Sequence, residues 1–499
     1  MEGRDIKTIG IIGAGVSGLV ALKTLMAEGF ECSAFERGAV LGGVWAGGYA
    51  NFGVQVQKEL YEYPDWPLPD DANSFTPGPE LQRYLETYAD HFQLRPHIHL
   101  QCEVLDVRVR SDGCPGWALA IRDEEGQREA VFDLVVICVG LYSEEPHRPE
   151  FPDHEAFRGE ILHVSEVKSR ELLSGRRVAV VGFGKSATDM ALESAAAAEE
   201  THIVLREPHW PIPSKLAGVL PFKWGLLNRM ASTLLPLHQH PTAFEGAVHR
   251  VGRPLVWLWW RLVEVLLRVQ HGLGREIEDG ENLLPDEPIE HAAFGESTML
   301  PRPAFYRSIH EGRIRAHRSG VRRLTETGIE LSNGREFAID LLVLATGWRT
   351  GFGFLTPELR ESLSFEEDGL YLYRQILHPD APRLAFIGQA STVCSMLTYS
   401  LQARWLTELL TGRVELPNRE AMRREIEGMK RWKRSWMPLS PGRGARLLAH
   451  MQHYHDELLR DFGADPLRKR GFFGPLKELI APYEPSDYRE IVSGEWCRK

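Results

Sequence analysis

Two stretches of the chain join an apolar run to a glycine-rich turn and then to a second patterned run: "TIGIIGAGVSGLVALKTL" at the start and "RRVAVVGFGKSATDMAL" near the middle. In the first, Gly13, Gly15 and Gly18 have G-x-G-x-x-G spacing. That spacing suits a phosphate-binding turn. The first glycine makes the tight turn, the second lets backbone approach a pyrophosphate, and the third lets a helix pack close with its N-terminus facing the phosphate charge. Gly13, Ala14, Gly15, Val16, Ser17 and Gly18 are therefore candidate nucleotide contacts. Glu36 lies about 20 residues on, where an acid accepts hydrogen bonds from a ribose diol and repels a 2′-phosphate. This reads as FAD or NAD.

The second turn places Gly182, Gly184 and Ala187 at the same spacing, but the next strand, "THIVLRE", ends in Arg206 instead of an acid. A guanidinium pairs bidentately with phosphate, so this site suits NADPH. Lys185 and Ser186 in the turn are the alternative readers of that phosphate, with Arg206 then a solvated strand-end charge. Two nucleotide sites of opposite 2′ preference imply hydride transfer from NADPH to a flavin.

The elements that position these turns follow from periodicity. Each stretch reads as strand, turn, amphipathic helix and second strand, a complete βαβ unit. With 499 residues and 43% hydrophobic composition, the chain is long enough for two or three domains. The expected fold is α/β, with two doubly wound, Rossmann-like domains. The FAD domain is discontinuous, spanning 1–149 and 339–499, and the NADPH domain, 150–338, is inserted between. The net charge of −11 speaks against a nucleic-acid partner. Six cysteines without a C-x-x-C pair speak against zinc, a redox dithiol or a disulfide framework. No apolar stretch precedes the first strand, so a cytoplasmic protein without a secretory signal is expected.

Several further motifs resemble the flavin-containing monooxygenases and their Baeyer–Villiger and N-hydroxylating relatives. "FERGAVLGGVW" is similar to the family's flavin-side loop, with Gly42, Gly43 and Trp45 in place. "QKELYEYPDWPLP", the helix "PELQRYLETYADHFQL" before the strand carrying Val104, and "FRGEILHVSEV" with Phe157, Gly159 and His163 follow the family order. So do "LVLATGWRTGF" with Thr346, Gly347 and Trp348, "RLAFIGQASTVCSMLTYSLQARW" with Gln389 and Gln402, and a tail resembling that of animal-type members. The resemblance implies that Arg37, Gly43, Val44, Trp45, Val104, Thr346, Gly347, Trp348, Gln389 and Gln402 also serve the cofactors. It implies a cycle in which NADPH reduces FAD, O2 adds to give a C4a-hydroperoxyflavin, and one oxygen atom passes to a small organic substrate. Heteroatom oxygenation at N or S is the first expectation, Baeyer–Villiger oxidation of a ketone the alternative, and an NADPH:acceptor reductase the third.

Three places depart from the family pattern. "VQVQKE" puts Gln55 where many members place an asparagine beside the flavin, and Gln55 is the candidate catalytic residue. Val167 stands where an aromatic residue is usual. The Trp- and Leu-rich region 215–285 matches no family motif. Within it, "PLVWLWWRLVEVLLRV" carries Arg261, Glu264 and Arg268 on one helical face. The first expectation is a mostly buried helix with that stripe solvated; the alternative is a surface helix that touches lipid, making the protein peripheral to a membrane. His163 is expected to fix a linker by hydrogen bonding, and no metal is expected at His238 and His240.

Overall fold

A computed structural model describes residues 5–142, 145–295, 301–349 and 351–497. The apolar runs "TIGII", "LVVI", "RVAVV", "ETHIVL" and "LLVL" become strands covered on both faces, as parallel sheets require. The first five-stranded sheet has the order Leu384–Phe386, Leu134–Ile137, Thr8–Ile12, Glu31–Phe35, Ile98–His99, all parallel. The second has the order Arg315–Arg318, Glu200–Leu205, Arg177–Val181, Leu341–Leu344, Glu160–His163, again all parallel.

The two sheets share a core topology. In each, a central strand, Thr8–Ile12 or Arg177–Val181, leads through a helix, Val16–Ala27 or Lys185–Ala195, to a neighbouring strand and then to the next; the outer strand on the far side comes last in the first sheet, Leu384–Phe386, and first in the second, Glu160–His163. A three-stranded antiparallel meander follows, and the chain returns on the other side of the central strand. The strand order therefore reverses at Thr8–Ile12 and at Arg177–Val181, and ligands of such sheets bind beyond the carboxyl ends at that reversal. Both glycine turns lie there.

The chain passes between the sheets twice, and the two passages run side by side. Trp348 and Arg349 pair antiparallel with Pro146 and Glu145. The Thr346 hydroxyl donates to the His147 carbonyl, and the His147 amide donates to the Gly347 carbonyl at 2.9 Å. The return to the first sheet, expected from about residue 339, comes later. Leu341–Leu344, a fully apolar run, lies inside the second sheet between Val178–Val181 and Glu160–His163.

Region 215–285 forms a hairpin, Lys215–Leu216 with Leu220–Pro221, and helices that include Ala243–Val251 and Arg253–His271. The C-terminal segment holds it in place. Arg229 pairs with Asp456 at 2.6 Å and Glu478 at 3.3 Å, and the Tyr483 amide donates to the Leu227 carbonyl at 2.8 Å.

The polarity of helix Arg253–His271 is the reverse of the first expectation. Arg261 and Glu264 turn inward: Arg261 pairs with Glu264 at 3.0 Å and with Glu290, and Glu264 accepts the Ile289 amide at 3.0 Å. Burial raises the Glu264 carboxyl above its ordinary range. Only Arg268 of the three stays exposed. The apolar residues face out, with Val269 76%, Leu255 72%, Leu262 59% and Trp257 58% exposed. Ion pairing with a helix distant in sequence has drawn the charged stripe inward, leaving Trp260 and Leu267 as the helix's buried apolar side chains.

Candidate functional site

The first turn is built around two glycine backbones that face each other. Gly13 has φ +100°, and its amide donates to the Phe35 carbonyl at 2.8 Å. A Cβ on Gly15 would lie 3.5 Å from Gly43 Cα, so the Gly15 and Gly43 backbones pack against each other at the helix N-terminus. The Gly42 amide fixes that spacing by donating to the Ala14 carbonyl at 2.9 Å. Ser17 is buried, with its hydroxyl donating to the Cys138 carbonyl at 3.2 Å. Glu36 is half-buried; its carboxylate accepts the Ala14 amide at 2.9 Å and the Gly38 amide at 2.8 Å. Two oxygens with further lone pairs thus point across the turn, where a ribose diol fits. The Cys102 amide donates to the Glu36 carbonyl at 2.8 Å, which brings Val104 close, although its side chain packs into a core with Phe35. Arg37 and Val44 are exposed at the rim.

The second turn repeats the geometry with more room. Gly182 has φ +128°, and its amide donates to the Val204 carbonyl at 3.0 Å. A Cβ there would lie 2.4 Å from the Ala345 carbonyl, so only glycine fits. Nothing lies within 4 Å of a Cβ built on Gly184, leaving the helix N-terminus open to a phosphate. Ala187 is buried against the turn and Ser186 is half-buried. Arg206 is exposed just past strand Glu200–Leu205, and no ion pair holds it among the described residues. Lys185 points the other way: its ammonium is drawn inward onto Asp189, one turn along the helix. Burial lowers its pKa, against the pull of Asp189.

Between the turns, Trp45 stacks on Phe52 at 5.8 Å and meets Tyr61 edge-on at 5.5 Å. Gln55 lies in the segment bracketed by those contacts, half-buried and hydrogen-bonded to no other described residue. The buried Trp45 indole N–H faces the Tyr61 hydroxyl. A free amide and an aromatic cluster beside a glycine turn with its helix N-terminus fit a flat heteroaromatic group with a pyrophosphate. Tyr399 is half-buried, with its phenol pushed up to about 12 by burial.

The passages between the sheets carry the remaining expected residues. His163 is fully buried and uses both ring nitrogens, Nδ1 with the Ser165 hydroxyl at 2.8 Å and Nε2 with the Gly347 carbonyl at 3.2 Å. Burial lowers its pKa, so it sits as a neutral strut, with Trp348 edge-on at 5.5 Å. Gln389 is buried and donates to the Gly140 carbonyl at 3.4 Å. Gln402 differs from expectation. Its amide is consumed inside the fold, accepting the Gly388 amide at 3.1 Å and donating to Tyr454 at 2.8 Å and the Gln375 carbonyl at 3.3 Å. Full burial leaves it supporting the loop that carries Gln389 instead of reaching a cofactor.

Two residues were missed by the sequence reading. Asp189 binds Lys185, and the opposite charges at i and i+4 directly after the glycine turn were the available signal. Arg318 ends the strand whose register places it beside Leu205, next to Arg206, and no local pattern marks that pairing.

Paired glycine turns at the switch points of two parallel sheets are the arrangement of a protein with two dinucleotide sites. The family model for flavin-binding monooxygenase-like proteins (FMO-like) matches residues 6–245 and 303–497. Flavin-containing monooxygenase 1 of Homo sapiens is 30% identical over 527 residues, covering 99% of this chain and 92% of that protein. Among solved structures, S-allyl-L-cysteine S-oxygenase from Allium sativum superposes with a TM-score of 0.65 at 19% identity, over 99% of this chain and 93% of that one. OTEMO in complex with FAD and NADP does so with 0.65 at 18% identity, over 86% and 89%. The chain belongs to the flavin-binding monooxygenase-like family and is a flavoprotein monooxygenase with FAD and NADP(H) as cofactors. Helix Arg253–His271 lies wholly outside the matched residues.

Proposed function

We propose that this enzyme uses NADPH and O2 to oxygenate nitrogen or sulfur in a small organic substrate, with FAD at the first turn and NADPH at the second. The observation that carries the reading is the pair of like turns with unlike strand ends, Glu36 beside one and a free Arg206 beside the other. Reduced flavin supplies the oxygen-activating chemistry when bound. The chain's part is placement and dryness. The turn backbone at Gly13 and Gly15 would hold the pyrophosphate, Gln55 would offer its amide to the flavin, and Trp45, Tyr61 and Tyr399 would exclude water from one side of it. His163 and the paired passages hold the two nucleotide units in register. A relative named for a flavin-containing monooxygenase and a structural neighbour named for S-oxygenation support heteroatom chemistry. The test is a panel of tertiary amines, thioethers and cyclic ketones under labelled O2. One labelled atom in an N-oxide or sulfoxide, with one NADPH consumed, supports the reading. Label only in lactones makes the enzyme a Baeyer–Villiger oxygenase, and NADPH oxidation with no labelled product makes it a reductase.

The outward-facing apolar side of helix Arg253–His271 supports a second reading, contact with a membrane surface. No helix among the described residues is long and apolar enough to cross a bilayer. Exposed Trp257, Leu258, Trp259 and Leu262, with Arg253 and Arg268 exposed at the two ends, have the make-up of a helix lying in the interface.

A further inference from the structure

The loop 47–51 joins the flavin-side turn Gly43–Trp45 to the Gln55 segment, and it is too glycine-rich to order itself. Nearly every residue of it is held by the other nucleotide unit. Lys168 donates to the Gly47 and Gly48 carbonyls at 2.8 and 3.2 Å, and the Ala50 amide donates to the Val167 carbonyl at 2.7 Å. The Asn51 amide group donates to Glu193 at 2.6 Å, and Arg302 donates to the Asn51 carbonyl. The Tyr49 hydroxyl donates to Asp189 Oδ2 at 2.9 Å.

Asp189 is the centre of this arrangement. Its side chain is fully inaccessible, with Lys185 on the same oxygen as Tyr49. Arg302 Nε lies 3.1 Å from the other oxygen, an ion pair without hydrogen-bond alignment. Arg302 continues to Glu193 at 3.2 Å, and Arg170 closes the network on Glu193 at 2.6 Å. Asp189 and Glu193 both project from helix Lys185–Ala195, which begins at the second glycine turn. Lys185 and Arg302 compensate the Asp189 charge, and loss of the Tyr49 hydroxyl would strip a hydrogen bond from that buried carboxylate, so the network favours one loop position.

We propose that Asp189 is a positioning residue that clasps loop 47–51 to the helix of the second nucleotide turn, so that order in the loop and nucleotide binding at that turn are coupled. The inference rests on NADPH occupying that turn. The loop is tied to the helix whose N-terminus at Gly184 would receive the nucleotide, and a loop already in place need not be ordered on binding. Coupling is reciprocal: a bound nucleotide also protects the loop.

The test uses FAD-loaded protein, hydrogen exchange of the segment 46–53, and calorimetric NADP+ binding. In the parent, saturating NADP+ slows exchange in 46–53. Tyr49→Phe speeds it, keeps FAD content and melting behaviour, and weakens NADP+ binding about tenfold, the factor for a clasped state reduced to about one-tenth population. In an Asp189→Asn background Tyr49→Phe adds nothing further, because the hydroxyl acts through that carboxylate. Lys168→Gln, at the other end of the loop, gives the same pattern should Asp189→Asn fail to fold. Normal NADP+ affinity and exchange in Tyr49→Phe, with tight binding in the parent, overturns the coupling alone. A parent that does not bind NADP+ overturns the second-turn reading and the coupling with it.

Discussion

Replacing Gly15 by alanine isolates the close approach at the first turn from its folding role. Gly15 sits at φ −81°, ψ −165°, a backbone open to any residue. The new methyl would lie 3.5 Å from Gly43 Cα, 3.7 Å from Gly43 N and 3.9 Å from the Gly42 carbonyl oxygen, ordinary van der Waals contact. The stability of the apoprotein should therefore change by no more than about 0.5 kcal/mol, the net of a small capping loss and a small entropic gain. That same methyl, at the N-cap of the helix, stands on the backbone that a pyrophosphate must approach closely. Forcing the phosphate off one backbone amide removes a charge-assisted hydrogen bond of about 1.5–3 kcal/mol, roughly ten- to a hundredfold in FAD affinity. Gly18→Ala is the contrasting variant. Its Cβ would lie 1.9 Å from the Gly13 carbonyl, so the helix must shift and stability itself should fall by about 1–3 kcal/mol. FAD titration of the apoproteins by flavin fluorescence, beside thermal melts, separates the two. A Gly15→Ala apoprotein that melts like the parent and binds FAD equally well would refute the placement of the pyrophosphate against Gly15.

Gln55→Ala should still oxidise NADPH but release more of it as hydrogen peroxide, with several-fold less oxygenated product per NADPH; unchanged coupling would show that the amide packs without touching the flavin site. Stability should fall with acid, because burial holds His450 and His455 near pKa 3, against about 6.5 unfolded. A base depressed in the fold contributes its full share above pH 6.5 and loses it as pH falls toward 3, about 2 kcal/mol per histidine by pH 5. Denaturant melts of His455→Gln should accordingly be less pH-dependent than those of the parent between pH 7 and 5. Sedimentation with anionic vesicles should be reduced by the pair Leu258→Glu and Leu262→Glu, with activity on water-soluble substrates retained; equal sedimentation of parent and variant would remove the helix as the contact.

Local patterns made both nucleotide turns legible, because each needs glycines, a helix and a strand end within about thirty residues. Gly13, Glu36, Gly182 and Arg206 stand where that reading put them in the chain, and strands such as "LVVI" announced themselves by continuous apolarity. What was not legible depends on partners far away in sequence. Nothing within the helix carrying Arg261 and Glu264 says which face meets the protein; Glu290, on another helix, decides it. Leu341–Leu344 reads equally well as a strand of either sheet until its pairing with Val178–Val181 is known. Gln402 sits in a stretch whose resemblance implied a cofactor role, yet its amide is committed to Gly388 and Tyr454. The loop 47–51 looks like slack in the sequence because its side-chain hydrogen-bond partners, Lys168, Asp189, Glu193 and Arg302, all lie beyond residue 160.

The central claim is that one turn holds the flavin and the other its reductant, and anaerobic flavin reduction tests it most directly. FAD-loaded parent and Arg206→Ala are mixed with NADPH or NADH, and the bleaching of the flavin is followed against nucleotide concentration. The parent should be half-saturated by NADPH at about ten- to a hundredfold lower concentration than by NADH, the span of one lost phosphate contact of about 1.5–3 kcal/mol. In Arg206→Ala that advantage should largely vanish while NADH behaves as before. A flavin that neither nucleotide bleaches, or an NADPH preference that survives Arg206→Ala undiminished, would contradict the assignment of the second turn.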